Sequence, residues 1–184
     1  MTPDPLPRRV PHGGARRFVS EVCPGECIGW CVTVGRMTQQ ETEKVESLAG
    51  ITPEQMTKAS EGTFTDLIGL RYLELGPTLV RGEWGVEPHL YQPAGIQNGG
   101  VYCTVIETLA SIGGSVWYGD RGTVVGVNNN TDFLRAVREG VLTATATAVH
   151  QGRSQQLWQV VVTDEQQRPV ARGQVRLQNL AKRS

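Results

Sequence analysis

The chain has 184 residues, enough for one domain with a real core and cramped for two. Lys plus Arg and Asp plus Glu total 18 each, so no global field recruits nucleic acid or an anionic membrane, although local arginines remain able to grip a phosphate. Hydrophobic residues at 39% and charged residues at 20% are ordinary for a soluble globular protein, no apolar run approaches a membrane span, and a cytoplasmic location is expected.

Residues 1–36 are rich in Pro, Gly, Arg and Cys and follow neither a helical nor a strand period. Arg8, Arg9, Arg16 and Arg17 lack the apolar stretch that a signal peptide places after its basic residues. Met37-Thr38-Gln39-Gln40-Glu41 reads like a natural beginning, so residues 1–36 are expected to be a flexible extension or the product of an upstream start assignment. Cys23, Cys27 and Cys31 sit four apart, without the two-residue gaps or the nearby fourth ligand of a metal knuckle, so no metal is expected. Cys103 reads as a small core residue, with no His close to it in sequence.

Residues 37–62 form an N-terminal helical segment. A polar helix is predicted over 41–49, and Thr52-Pro53-Glu54 gives an N-cap with Pro at the first position of a helix running towards Ser60. Strands are predicted over 67–75 and 79–86, joined at Gly76-Pro77. A loop with Pro88, Pro93 and Gly95 then leads to the main helix, from Gly99 to about Trp117. Val101, Val105, Leu109, Ile112 and Val116 form its apolar stripe, widened by Tyr102 and Ile106, so the helix should be wrapped by a sheet.

Four strands follow. The first runs over 123–128 and continues through Thr131-Asp132-Phe133-Leu134; the others cover 141–150, 155–163 and 170–178, the last two forming a hairpin. Helix, two strands, one long helix and an antiparallel meander make an α+β plan with the helices on one face.

The stretch from Gln92 to Glu107 concentrates the chemistry. Gly99 and Gly100 leave N–H groups at a helix start, where the positive dipole end favours a developing oxyanion. Glu107 is the one acid of an apolar helix, and a buried acid needs a partner or a task. It is either a functional carboxylate or a structural one bonded to Thr104, Ser111 or a partner backbone. Ser111 follows Glu107 by four residues and shares its face.

Three segments carry a family resemblance: Gln92-Pro93-Ala94-Gly95-Ile96-Gln97-Asn98-Gly99-Gly100 with Glu107; Val125-Gly126-Val127-Asn128-Asn129-Asn130-Thr131-Asp132-Phe133-Leu134-Arg135; and His150-Gln151-Gly152-Arg153. In this order and spacing they resemble the PaaI-like and 4-hydroxybenzoyl-CoA thioesterases. The resemblance implies a hotdog fold over residues 63–180, a curved antiparallel sheet around one long helix. It also implies an acyl-CoA thioesterase that hydrolyses an acyl or aroyl thioester to the free acid and coenzyme A, with no cofactor beyond the coenzyme A of its substrate.

By that resemblance the Gly99 amide polarises the carbonyl, Glu107 acts as base or nucleophile, and Gln92 and Ser111 assist. Asn98 stands where most members have His, which bears on substrate orientation or rate. Gly100 is a neighbouring donor, and Arg135, Arg138 and Arg153 are the candidates for the coenzyme A phosphates. Gly99 and Glu107 lie eight residues apart on one helix, roughly 12 Å, too far for one thioester carbon to touch both. A homodimer with shared sites is the expected assembly, with further pairing into a tetramer, as is common in the family. Two alternatives stand beside this reading: a hotdog dimer that binds acyl-CoA without turnover, and a hotdog dehydratase or hydratase, which pairs a His with an acid and is disfavoured by Asn98.

Overall fold

A computed structural model describes Leu48 and residues 50–182. The extension at 1–36, its three cysteines and the polar helix expected over 41–49 lie outside the described residues, apart from Leu48. The first described helix, α1 (Pro53–Ala59), has the expected cap. Thr52 accepts from the Gln55 amide, and the Gln55 side chain returns a bond to the Thr52 amide. Met56 of α1 belongs to the same core as the sheet, and Thr57 Oγ1 accepts from the Tyr72 amide at 3.2 Å.

The strand expected from residue 67 starts later. Residues 64–68 form a short helix, α2 (Phe64–Ile68), stopped by Gly69 in the left-handed conformation at φ 74°. The apolar Leu67-Ile68 pair looks like a strand opening, but Ile68 faces the core and Leu67 is 61% exposed. Strand β1 (Arg71–Leu75) then pairs with β2 (Leu79–Gly85). The Pro-containing loop holds one 3-10 turn (Pro88–Leu90) and a minimal hairpin of β3 (Tyr91–Gln92) and β4 (Ile96–Gln97), its turn closed by Gly95 at φ 70°.

The long helix α3 (Gly99–Tyr118) buries Val101, Val105, Ile106, Leu109 and Ile112 against the sheet, as its apolar stripe requires. Strands β5 (Gly122–Phe133), β6 (Val141–Gln151), β7 (Gln155–Thr163) and β8 (Pro169–Ala181) follow, all antiparallel to their neighbours. On β7, and on β6 up to a bulge after Ala148, the alternation holds: Leu142, Ala144, Ala146, Trp158, Val160 and Val162 are fully buried. This is the hotdog arrangement. At Gly113 and Gly114 an added Cβ would lie 2.5 Å from the Trp158 ring and 2.4 Å from Leu177, so two adjacent glycines let α3 press onto the sheet.

The four late strands are not a simple meander. The order across the sheet is β1-β2-β6-β7-β8-β5, so only β6, β7 and β8 pair in sequence. β5 lies at the far edge, and residues 134–140 carry the chain back across the sheet to β6. β5 is therefore a 12-residue edge strand running alongside α3, with Val127 50% exposed.

Candidate active site

The face of α3 turned away from the sheet is built of Cys103, Thr104, Glu107, Thr108, Ser111 and Ser115, all half-buried. Glu107 therefore sits on an open polar stripe, and the burial expected for an acid in an apolar helix is avoided. Ser111 Oγ donates to Glu107 Oε1 at 2.7 Å, one turn further on. Thr104 does not serve the acid; its hydroxyl donates to the Gly100 carbonyl at 2.9 Å. Cys103 is half-buried on this stripe rather than in the core.

Strand β5 follows the stripe with three contacts one helical turn apart. An added Cβ on Gly126 would lie 3.0 Å from Glu107 Oε1. The Asn129 amide donates to the Cys103 carbonyl at 2.9 Å. The Phe133 ring lies 3.0 Å from where a Cβ on Gly99 would be. The motifs assign no role to Gly126 or Asn129, although a lone glycine inside a strand pattern is a known sign of a bulge or close approach.

At the start of α3, Asn98 is the N-cap, and its Oδ1 accepts from the Gly100 amide at 2.8 Å. Gly100 is thus not the free second donor that the sequence suggests. The Gly99 amide, first of the helix, has no hydrogen-bond partner among the described residues and keeps the dipole end to itself.

Gly99 opens into a cleft of about 330 Å³ lined by Gln92, Ile96, Gln97, Tyr102, Phe133, Leu134, Arg135 and Ala136. Gln92, Gly99 and Arg135 are brought together, while Glu107 and Ser111 of the same chain are not among them. Among the described residues Tyr102 is buried without a partner for its hydroxyl, and burial pushes its pKa up to about 12, so it keeps its proton and is no base. Gln97 Oε1 is likewise buried and unpaired among the described residues.

Two further hollows flank the turn. Arg135 and Ala136 continue into a larger cleft of about 520 Å³ that holds Arg138, Glu139, Glu165 and Arg168. Arg168 is tied to Asp164, its Nε 2.8 Å from Oδ2, whereas Arg135 and Arg138 have no acidic partner among the described residues. On the other side, Phe64, Leu67, His89, Leu90, Tyr91, Asn98, Gly100, Val101 and Thr104 enclose a mainly apolar groove of about 340 Å³.

Arg153 does not join the other two arginines within one chain. Its turn is held by Asn179 Nδ2, which bonds the Gly152 and Arg153 carbonyls at 3.0 and 3.3 Å. Asn179 connects through Gln156 to the Gly114 carbonyl, near the opposite end of α3 from Gly99.

Residues 94–171 match the thioesterase superfamily model. A Mycobacterium tuberculosis protein bearing an esterase name is 50% identical over 123 residues, 65% of this chain and 88% of the relative. The chain belongs to the thioesterase superfamily. The solved structure of that relative superposes with a TM-score of 0.63 over 66% of this thioesterase and 98% of the other chain. AziG of S. sahachiroi is 46% identical, with a TM-score of 0.65 over 66% of this chain and 98% of its own. The proofreading thioesterase EntH of Cronobacter turicensis is 33% identical over 118 residues, 64% of this chain and 86% of EntH. Membership makes the protein a thioester hydrolase, the reaction class that the motifs imply. Among its described residues no helix is long and apolar enough to cross a membrane.

Proposed function

We propose that this thioesterase hydrolyses acyl- or aroyl-coenzyme A in a site shared between two copies of the chain. The observation that carries the reading is the separation of the parts. The open Gly99 amide shares its cleft with Gln92 and Arg135, while Glu107 stands two turns along the same helix, roughly 12 Å away. A two-fold pairing of antiparallel α3 helices sets the Gly99 of one chain against Glu107 of the partner subunit. The half-buried polar stripe of α3 and the long β5 edge, with Val125 and Val127 exposed, support such a pairing. A further pairing of dimers into a tetramer is compatible with it.

The substrate carbonyl oxygen takes the Gly99 N–H, which strengthens its bond as charge develops there. Gln92 orients the carbonyl or the attacking water. Glu107, held by Ser111, either takes a proton from that water, which attacks the carbonyl carbon and expels the coenzyme A thiolate to receive that proton, or attacks the carbon itself. The second route expels the thiolate and forms a mixed anhydride, which water then splits to the free acid, the carboxylate and a proton for the thiolate. By its cap Asn98 fixes which amide stays open. Arg135 and Arg138 line the cleft that suits the coenzyme A phosphates, and the apolar groove beside Gly100 suits the acyl or aryl group. No metal or other cofactor is needed.

Complementation tests the shared site. Gly99→Pro deletes the amide while keeping a helix start, because Pro is favoured at the first helical position and Asn98 at φ −67°, ψ 134° accepts a following Pro, with the exposed Phe133 ring, 3.0 Å from a Cβ there, giving way. Gly99→Pro and Glu107→Ala should each be nearly inactive in a thiol-release assay with acyl-coenzyme A. Co-refolded together they should regain part of the wild-type rate, since each mixed dimer holds one intact site. No regain in mixed dimers rules out sharing. Tight binding of acyl-coenzyme A by a wild type that never turns over favours the non-catalytic binding dimer.

A further inference from the structure

We infer that Gly126, set at a bulge in β5, is a positioning residue for the Glu107 carboxylate. The pairing of β5 with β8 runs Val125 to Gln178 and Gly126 to Leu177, then jumps to Asn128 opposite Arg176, so Val127 is the extra residue. An inserted residue changes which positions of a strand face the helix. Before the bulge the even positions turn inward: Val124 packs on the core and Gly126 meets Glu107. After it the odd positions do, with Asn129 on the Cys103 carbonyl and Phe133 on Gly99. A regular strand would present either Gly126 or Asn129 to α3, but not both.

The bulge thus lets one strand touch the stripe 99-103-107 at each turn. At Glu107 the contact needs the absence of a side chain. A Cβ would stand 3.0 Å from Oε1 and push the carboxylate aside by a few tenths of an ångström. Oε1 is also the oxygen that accepts from Ser111 at 2.7 Å, so that displacement strains the acid's orienting bond. Asn129, whose Oδ1 accepts from Thr131 Oγ1 at 2.8 Å, pins the strand one helical turn away and keeps it from yielding instead. Bare backbone at Gly126 and the Ser111 hydroxyl together set the position of Oε1.

The inference rests on Glu107 being the reacting acid, and its test separates the two. Gly126→Ala, Glu107→Asp and the double variant are compared with the wild type on one acyl-coenzyme A substrate. Gly126→Ala should lower kcat about tenfold, since small misplacements of a reacting group are costly, with KM within about twofold and an unchanged melting temperature. Glu107→Asp withdraws the carboxylate from β5, so adding Gly126→Ala to it should cause no further loss. A crystal structure of Gly126→Ala should show the carboxylate displaced and its bond to Ser111 lengthened. Wild-type kcat in Gly126→Ala, a change confined to KM, or losses that multiply in the double variant would overturn the proposal. So would an unmoved carboxylate in the crystal. A displaced carboxylate in an enzyme whose turnover survives Glu107→Ala would instead sink the catalytic reading and leave the geometry standing.

Discussion

Asn98 Oδ1 holds the Gly100 N–H at 2.8 Å, and this one bond decides which amide of the Gly-Gly turn remains open. The Asn in place of the more usual His is therefore part of the helix start. Asn98→Ala should lower stability by about 1 kcal/mol, the usual worth of such a cap, and Asn98→Asp should keep it because the accepting oxygen remains. Urea melts of the three proteins measure the difference. The Ala variant should also lose turnover, because a frayed first turn no longer aims the Gly99 amide. Equal stability of all three proteins would show that the cap contributes nothing.

The polarity of the two hollows beside the turn predicts how substrate preference responds to mutation. Phe64 and Leu67 of α2 are 57% and 61% exposed yet line the apolar groove, so they suit packing on an acyl group more than support of the core. Phe64→Ala with Leu67→Ala should lower kcat/KM for long or aromatic acyl groups about tenfold while leaving acetyl-coenzyme A nearly unaffected, since removing apolar packing of this size costs about 1–3 kcal/mol. Arg135→Ala with Arg138→Ala should raise KM for every coenzyme A ester alike and leave a substrate without the nucleotide, such as an acyl-N-acetylcysteamine, unchanged. A panel of thioesters read as kcat/KM distinguishes the two hollows.

The framework is legible in the sequence where periodicity is strong. α3 and three of the four late strands have observed limits near the expected ones, because a 20-residue amphipathic helix and strictly alternating strands leave little choice. What the sequence hides is set by tertiary pairing. The Leu67-Ile68 pair has the look of a strand opening, yet Gly69 ends a short helix there. The place of β5 at the far edge follows from strand partners 38 to 59 residues away, from Phe133 with Ala171 to Gly122 with Ala181, which no local pattern encodes. The site shows the same division. The resemblance to the family picks out Gln92, Gly99 and Glu107 as candidates, whereas sequence order groups Arg153 with Arg135 and Arg138 although its turn belongs to the other end of α3.

That turn is held by a buried polar chain, and its members should be costly to replace. Trp158 Nε1 donates to Gln156 Oε1 at 2.9 Å, and Gln156 Nε2 donates to Asn179 Oδ1 at 2.8 Å and to the Gly114 carbonyl at 3.2 Å. Gln156→Leu removes all three bonds at once and strands the fully buried indole N–H, so a loss of about 2–4 kcal/mol is expected. Asn179→Ala should cost about as much, and the double variant much less than the sum, since both break one network. Chemical denaturation of the four proteins checks this; additive losses would show that the bonds act independently.

Asp164 sets an acid-side dependence of stability. Burial pushes its carboxyl up, but the backbone N–H of Arg168, the Arg168 side chain with its charge, and the Gln166 N–H outweigh that and hold it below the ordinary 3.8. Because the folded value is depressed, the stabilisation is complete well above 3.8 and disappears as the pH falls through the folded value. Asp164→Asn, which keeps the shape and loses the charge, should melt below the wild type at neutral pH, and the gap should narrow as the pH drops below 3.8. Thermal melts of both proteins from neutral to acid pH test this. A gap that stays constant down to acid unfolding would mean that the loop is held by its backbone bonds alone, with the charge of Asp164 idle.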